Sequence, residues 1–296
     1  MAASLLRAGL RVVVCDPSPA AVAALRDLGA DAAATPAELA ARPGISAIVS
    51  MLPEPSHVRA AYLDPSSGVL AAATLKNLHA PLLVDSSTVD PATARAVSAA
   101  IEACDLHPTA AAAAGAVRPR RLDAPVSGGV AAAEAGTLTF MCGGSEAAFA
   151  AAAPLLRAMG AAAFRCGASG AGAAAKLVNN AVAGVQMAGV AEGLALAAAL
   201  GLDPVKMTEV LNASSGRCWA SEQYNPCPAA AGGAPASRGF APGFRTELIV
   251  KDLRLAVEEA RVAGARVPMS SAARALYERV PPALDFSAVW LEYAKP

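Results

Sequence analysis

Three scarcities narrow the field. The first is net charge: in 296 residues, 24 Lys+Arg meet 24 Asp+Glu, so the formal balance is zero. A nucleic-acid binder would carry a basic excess, and no nucleic-acid partner is expected. The second is metal-ligand patterning. Only three histidines occur (His57, His79, His107), none at His-x-x-x-His spacing, and the six cysteines (Cys15, Cys104, Cys142, Cys166, Cys218, Cys227) form no Cys-x-x-Cys pair. A zinc site needs such clustering, so no metal is expected. Dispersed thiols in a chain of this size fit a reducing compartment, where they act as small buried side chains. The third is uninterrupted apolar sequence. Hydrophobic content is 55%, but alanine supplies roughly a quarter of the chain, far above ordinary usage. No run reaches the roughly 18 apolar residues of a membrane span. The best stretch, Ala181–Ala191, follows Lys176, Asn179 and Asn180 and runs into Glu192. No membrane partner is expected, and MAASLLRAGL has no basic segment leading into an apolar one, as a secretory signal would.

What is present is alternation. Val12–Cys15, Ile45–Leu52 and Leu82–Asp85 are β-rich runs ending in polar residues, and Ala20–Leu28, Pro55–Leu63 and Pro91–Ala103 carry helical spacing between them. That order predicts βαβ units and a parallel sheet, an α/β fold. Thr137–Cys142 reads as a further strand, and Ser145 as the cap of a helix reaching about Met159. Beyond Gly167, β-branched runs thin out. Ala173–Leu200, Glu247–Ala263 and Pro268–Val280 are helical patterns. Two domains are therefore expected, 1–167 and 168–296, the second all-α and entered by a long helix. His107–Arg121, low in complexity and ending in a basic cluster, reads as a surface insertion, with an anion site at Arg118, Arg120 and Arg121 as the alternative. Tyr224–Gly243, rich in proline, glycine and alanine, reads as a long loop.

Four clusters carry candidate chemistry. Asp16 ends an apolar strand, where a carboxylate would accept hydrogen bonds from ribose hydroxyls and repel a 2′-phosphate. A turn or cap explains it equally well. The Gly-x-Gly-x-x-Gly loop that should lie about 20 residues before such an acid is not found. Met1 stands only fifteen residues before Asp16, so the expectation is a chain that starts inside the first helix, without the first strand and its glycine loop. Asp123-Ala-Pro-Val-Ser127-Gly128-Gly129 presents unobstructed backbone N–H groups suited to a small carboxylate, or is a plain glycine turn. Gly170-Ala-Gly172 precedes Lys176 and Asn180, which on a helix share one face. A lysine and an amide converging there can polarise an alcohol and move its proton.

Together these stretches resemble the β-hydroxyacid dehydrogenase superfamily. Asn212-Ala-Ser-Ser-Gly-Arg-Cys-Trp219, Tyr224-Asn-Pro226 and Lys251-Asp-Leu253, with Ser50-Met-Leu-Pro53 and Asp85-Ser-Ser-Thr-Val-Asp-Pro91, are similar to its 3-hydroxyisobutyrate dehydrogenase family. The resemblance runs from about Met1 to Tyr293. It implies a Rossmann-like domain followed by a helical substrate and dimerisation domain, NAD as cofactor, and a homo-oligomer. The implied reaction is oxidation of 3-hydroxyisobutyrate to methylmalonate semialdehyde in valine degradation, with a mitochondrial location from the eukaryotic relatives. By position, Lys176 matches the catalytic lysine, and Ser127, Gly128, Gly129 and Asn180 match substrate-binding residues. Leu52, Pro53, Thr88, Lys251 and, more distantly, His57 match cofactor contacts, joining Asp16. A glyoxylate or succinic semialdehyde reductase on the same scaffold, and a non-catalytic remnant lacking the glycine loop, are the competing readings. Arg118-Pro-Arg-Arg121 departs from the family, whose strand before Asp123 is apolar throughout.

Overall fold

The structure is a computed structural model that describes residues 1–293. The chain divides into two compact units, Met1–Lys176 and Leu177–Pro296, with the division inside a helix and nine residues beyond the expected 167.

The first unit is α/β. Strands β1 (Val13–Val14) and β2 (Asp31–Ala32) pair in parallel as a two-stranded sheet. A six-stranded sheet holds β3 (Ile48–Ser50), β4 (Leu82–Asp85), β5 (Arg120–Asp123), β6 (Val126–Ser127), β7 (Leu138–Gly143) and β8 (Gly160–Gly167). Its order is β3-β4-β5-β7-β6, with β8 also on β7. β3, β4 and β5 run parallel in register, Ser50 beside Asp85 and Asp85 beside Asp123. All four residues of β4 are buried, as a strand covered on both faces requires. Alternation sorts them: Leu82 and Val84 join Leu122, Phe140 and Leu156 on one face, while Leu83 joins Val58, Tyr62, Val97 and Ile101 on the other. Each such side chain stabilises the fold by roughly 1.5–3 kcal/mol.

The helices of this unit begin on a repeated signal. Ser18, Thr35 and Asp90 each accept a hydrogen bond from a backbone N–H three residues on, and Pro19, Pro36 and Pro91 follow them. The side chain satisfies one orphan N–H and proline needs none. Ser145 caps the Glu146–Met159 helix in the same way.

Most of His107–Arg118 lies at the surface, as expected, but it is ordered as a helix and the segment's end is a buried strand. His107 caps a Pro108–Ala114 helix, Gly115 ends it at φ 59°, and β5 starts directly after Pro119. Arg121, far from a surface anion site, is fully buried and ion-paired with Asp85.

The second unit is helical. The 29-residue Ala171–Ala199 helix leads into it, followed by Pro204–Ala213, Thr246–Val262 and Pro268–Tyr277. By length and composition that first helix is apolar enough to cross a membrane, contrary to the sequence expectation. Here Met187, Ala191 and Leu194 pack instead with Ile249, Leu253, Tyr277 and Phe286. The Tyr224–Gly243 loop contains two short 3-10 turns and is pinned by buried Asp285, whose Oδ2 accepts Tyr224 Oη at 2.9 Å and Gly243 N at 3.0 Å.

Candidate active site

Asp123 sets the start of the long helix. It ends β5, and its carboxylate accepts Gly170 N at 2.8 Å and Ala173 N at 3.0 Å, a cap supplied from about fifty residues upstream. Burial raises its pKa, against the pull of those two amides. The approach depends on missing side chains. A Cβ on Gly172 would lie 2.3 Å from Met141 O, and one on Gly143 would lie 2.5 Å from Asp123 Oδ2. Lys176 follows on this helix and is only 7% exposed. Ser127 ends β6 half-buried, and Gly128 and Gly129 follow it exposed, at φ 129° and 66°. Positive φ favours glycine at both.

The parallel strands offer a second cluster in the same unit. Leu52 and Pro53 leave β3, Thr88 follows β4, and Leu52 N donates to Ser87 Oγ at 2.9 Å, so the two loops are tied. Pro53 is exposed and Thr88 half-buried. His57 lies exposed in the first turn of the Pro55–Leu63 helix. Asp16 follows β1, exposed, with Oδ1 accepting Ser18 N at 2.8 Å. The exposed acid after β1 and the tied loops after β3 and β4 all lie at the carboxyl ends of parallel strands, where ligands of such folds bind.

The second unit holds Asn180 and Lys251. Asn180 Nδ2 donates to Asp252 Oδ2 at 2.6 Å, and Asn180 Oδ1 accepts Asn179 Nδ2 at 3.1 Å. Lys251 Nζ lies 3.2 Å from Asp252 Oδ1. Asp252, 2% exposed, thus fixes which way the Asn180 amide faces. Sequence reading missed it, because its partner is 72 residues away and only the fold joins them.

An α/β unit succeeded by a helical unit, each matching a nicotinamide-cofactor family, makes the class a nicotinamide-dependent dehydrogenase. Residues 1–168 match the family described as the NAD binding domain of 6-phosphogluconate dehydrogenase. Residues 170–289 match the NAD-binding domain of NADP-dependent 3-hydroxyisobutyrate dehydrogenase. A 3-hydroxyisobutyrate dehydrogenase of Pseudomonas aeruginosa is 44% identical over 98% of this chain and 92% of its own length. A probable mitochondrial 3-hydroxyisobutyrate dehydrogenase of Arabidopsis thaliana is 42% identical over 95% and 78%. A solved Mycobacterium tuberculosis 3-hydroxyisobutyrate dehydrogenase with L-serine superposes at a TM-score of 0.83, with 36% identity over 99% of this chain and 94% of that one. The chain belongs to the 3-hydroxyisobutyrate dehydrogenase family.

Proposed function

We propose that this chain oxidises 3-hydroxyisobutyrate to methylmalonate semialdehyde, a step of valine degradation, with NAD as hydride acceptor. The observation that carries it is the 44% identity to a 3-hydroxyisobutyrate dehydrogenase across almost the whole of both chains. Bound NAD supplies the acceptor for the hydride leaving the carbinol carbon. The residues do the rest. Lys176 Nζ takes the hydroxyl proton as the carbonyl forms. The backbone of Ser127, Gly128 and Gly129 holds the substrate carboxylate, and Asn180, oriented by Asp252, holds the hydroxyl. Asp16 accepts the ribose hydroxyls, and Leu52, Pro53, His57, Thr88 and Lys251 line the cofactor. Residues 1–167 serve as the dinucleotide-binding domain and 168–296 as the substrate and dimerisation domain.

L-serine is a second candidate, favoured by its presence with the Mycobacterium relative. It shares the carboxylate and the primary hydroxyl and replaces a methyl by an amine. Turnover of both acids with NAD, followed as NADH formation, separates them: kcat/KM should be higher for 3-hydroxyisobutyrate. A higher value for L-serine reassigns the substrate, and NADH from neither acid removes the proposal. The mitochondrial expectation has support in the name of the Arabidopsis relative, while the Pseudomonas relative is bacterial.

A further inference from the structure

Arg121 stands on β5, inside the six-stranded sheet, with its side chain 0% exposed, and it is the largest fully buried side chain among the described residues. A guanidinium there is tolerated only with close partners. Its Nη2 donates to Asp85 Oδ2 at 2.7 Å, its Nη1 donates to Ala94 O at 2.9 Å, and its Cζ lies 5.4 Å from the centre of the Tyr62 ring. These contacts fix the Asp85 carboxylate in position and orientation.

Asp85 in turn organises the ends of two strands. Its Oδ1 accepts Ser50 Oγ at 2.9 Å and Ser87 N at 3.1 Å. Ser50 Oγ also lies 2.8 Å from Tyr62 Oη. A carboxylate only accepts, so the Ser50 proton is spent on Asp85 and Tyr62 must donate to Ser50. Burial, the largest influence, raises the Tyr62 pKa and keeps that donor protonated. Ser86 N donates to Ser50 O at 2.7 Å, and Leu52 N donates to Ser87 Oγ at 2.9 Å. The hydrogen bonds run without a break from Arg121 to the backbone of Leu52 and Ser87. Those residues adjoin Pro53 and Thr88 at the carboxyl ends of β3 and β4, where ligands of such sheets bind.

We infer that Arg121 is a positioning residue for the dinucleotide: acting through Asp85, it holds the Leu52–Pro53 and Ser87–Thr88 backbone in the shape that receives the cofactor. This rests on the proposed use of NAD.

The test is Arg121→Met, which keeps length and removes charge and donors, beside Arg121→Lys and the neutralised pair Asp85→Asn/Arg121→Met. In Arg121→Met, NAD should bind about tenfold more weakly by calorimetry, the scale of a loop displaced by a fraction of an ångström. KM for NAD should rise in parallel, while kcat at saturating NAD and KM for the hydroxy acid change less than about twofold. Arg121→Lys should recover part of the affinity. If Arg121→Met does not fold, the neutralised pair, which leaves no unpaired charge, carries the measurement and should also bind NAD more weakly. Unchanged NAD affinity in a folded variant overturns the inference, as does an equal rise in both KM values. Failure of the substrate assignment is a separate result, because the NAD titration needs no turnover. If even the parent chain binds no NAD, hydrogen exchange decides. Amides of Leu52, Ser86 and Ser87 should exchange faster in the variant while those of β7 do not, and a uniform change overturns the inference.

Discussion

A lysine 7% exposed on a helix is a poor solvent-facing ornament and a good candidate for chemistry. If Lys176 takes the substrate proton, Lys176→Ala should lower kcat by at least about a hundredfold, the common scale for losing a general acid or base. Near-normal kcat would mean that Lys176 only fills space. Asp16 makes a separate claim. Its exposed carboxylate follows β1, and no arginine stands at Pro17 or Ser18 to receive a phosphate. NAD should therefore be preferred over NADP, and Asp16→Ala should narrow the ratio of their kcat/KM values; an unaltered ratio would acquit Asp16. The placement of Lys176 and Asn180 on one helix, and of Asp16 after a strand, was legible in the sequence because helix spacing and a strand end are local signals. Asp252 and Arg121 were not. Their partners, Asn180 and Asp85, lie 72 and 36 residues away, and no periodicity reports such a meeting.

The elements differ in how firmly they are held. β1 and β2 are two residues each in their own sheet, and of their four residues only Val14 is buried. β4 lies between two parallel partners with every residue buried. Amides of β1 and β2 should exchange with solvent well before those of β4 and β5; equal protection in the two sheets would contradict this. Helix starts at Pro55, Pro91 and after Ser145 were readable, while the short Pro36–Ala40 helix was not. Strand lengths were not, since Ile45–Leu52 contributes only Ile48–Ser50 to the sheet. Apolar composition marks a buried segment but not where its hydrogen bonding stops. The segment entering β4 also carries a pH sensitivity. His79 is buried and its ring stacks on that of His107 at 4.3 Å. Burial, then the neighbouring His107, lowers its pKa from the usual 6.5. Below about that pH the unfolded chain binds more protons than the folded one. The stability contribution is thus intact above pH 6.5 and is lost as the pH falls towards the lower folded value. His79→Gln should flatten this acid limb in thermal melts taken across pH; parallel curves for parent and variant would dismiss His79 as its source.

At the scale of the molecule, the α/β-then-helical order was readable because the hydrophobic period changes along the chain. Val178 and Val182, one turn apart on the long helix, are 65% and 51% exposed. Apolar residues so placed favour self-association. Light scattering should report a homo-oligomer, and Val182→Glu should shift it towards monomer; a monomeric parent would contradict the expectation.

The capped helix is also a lever. Asp123 clamps its first turn, and at 1.5 Å per residue its 29 residues extend about 43 Å. A tilt of about 1° about the clamp carries the far end by about 0.8 Å. Lys176, only about 7 Å from the fulcrum, then moves about 0.1 Å. By leverage alone, any displacement of the far end would be reduced roughly sixfold at the amine. A bend introduced out at Leu196 would therefore leave the aim of the lysine almost unchanged.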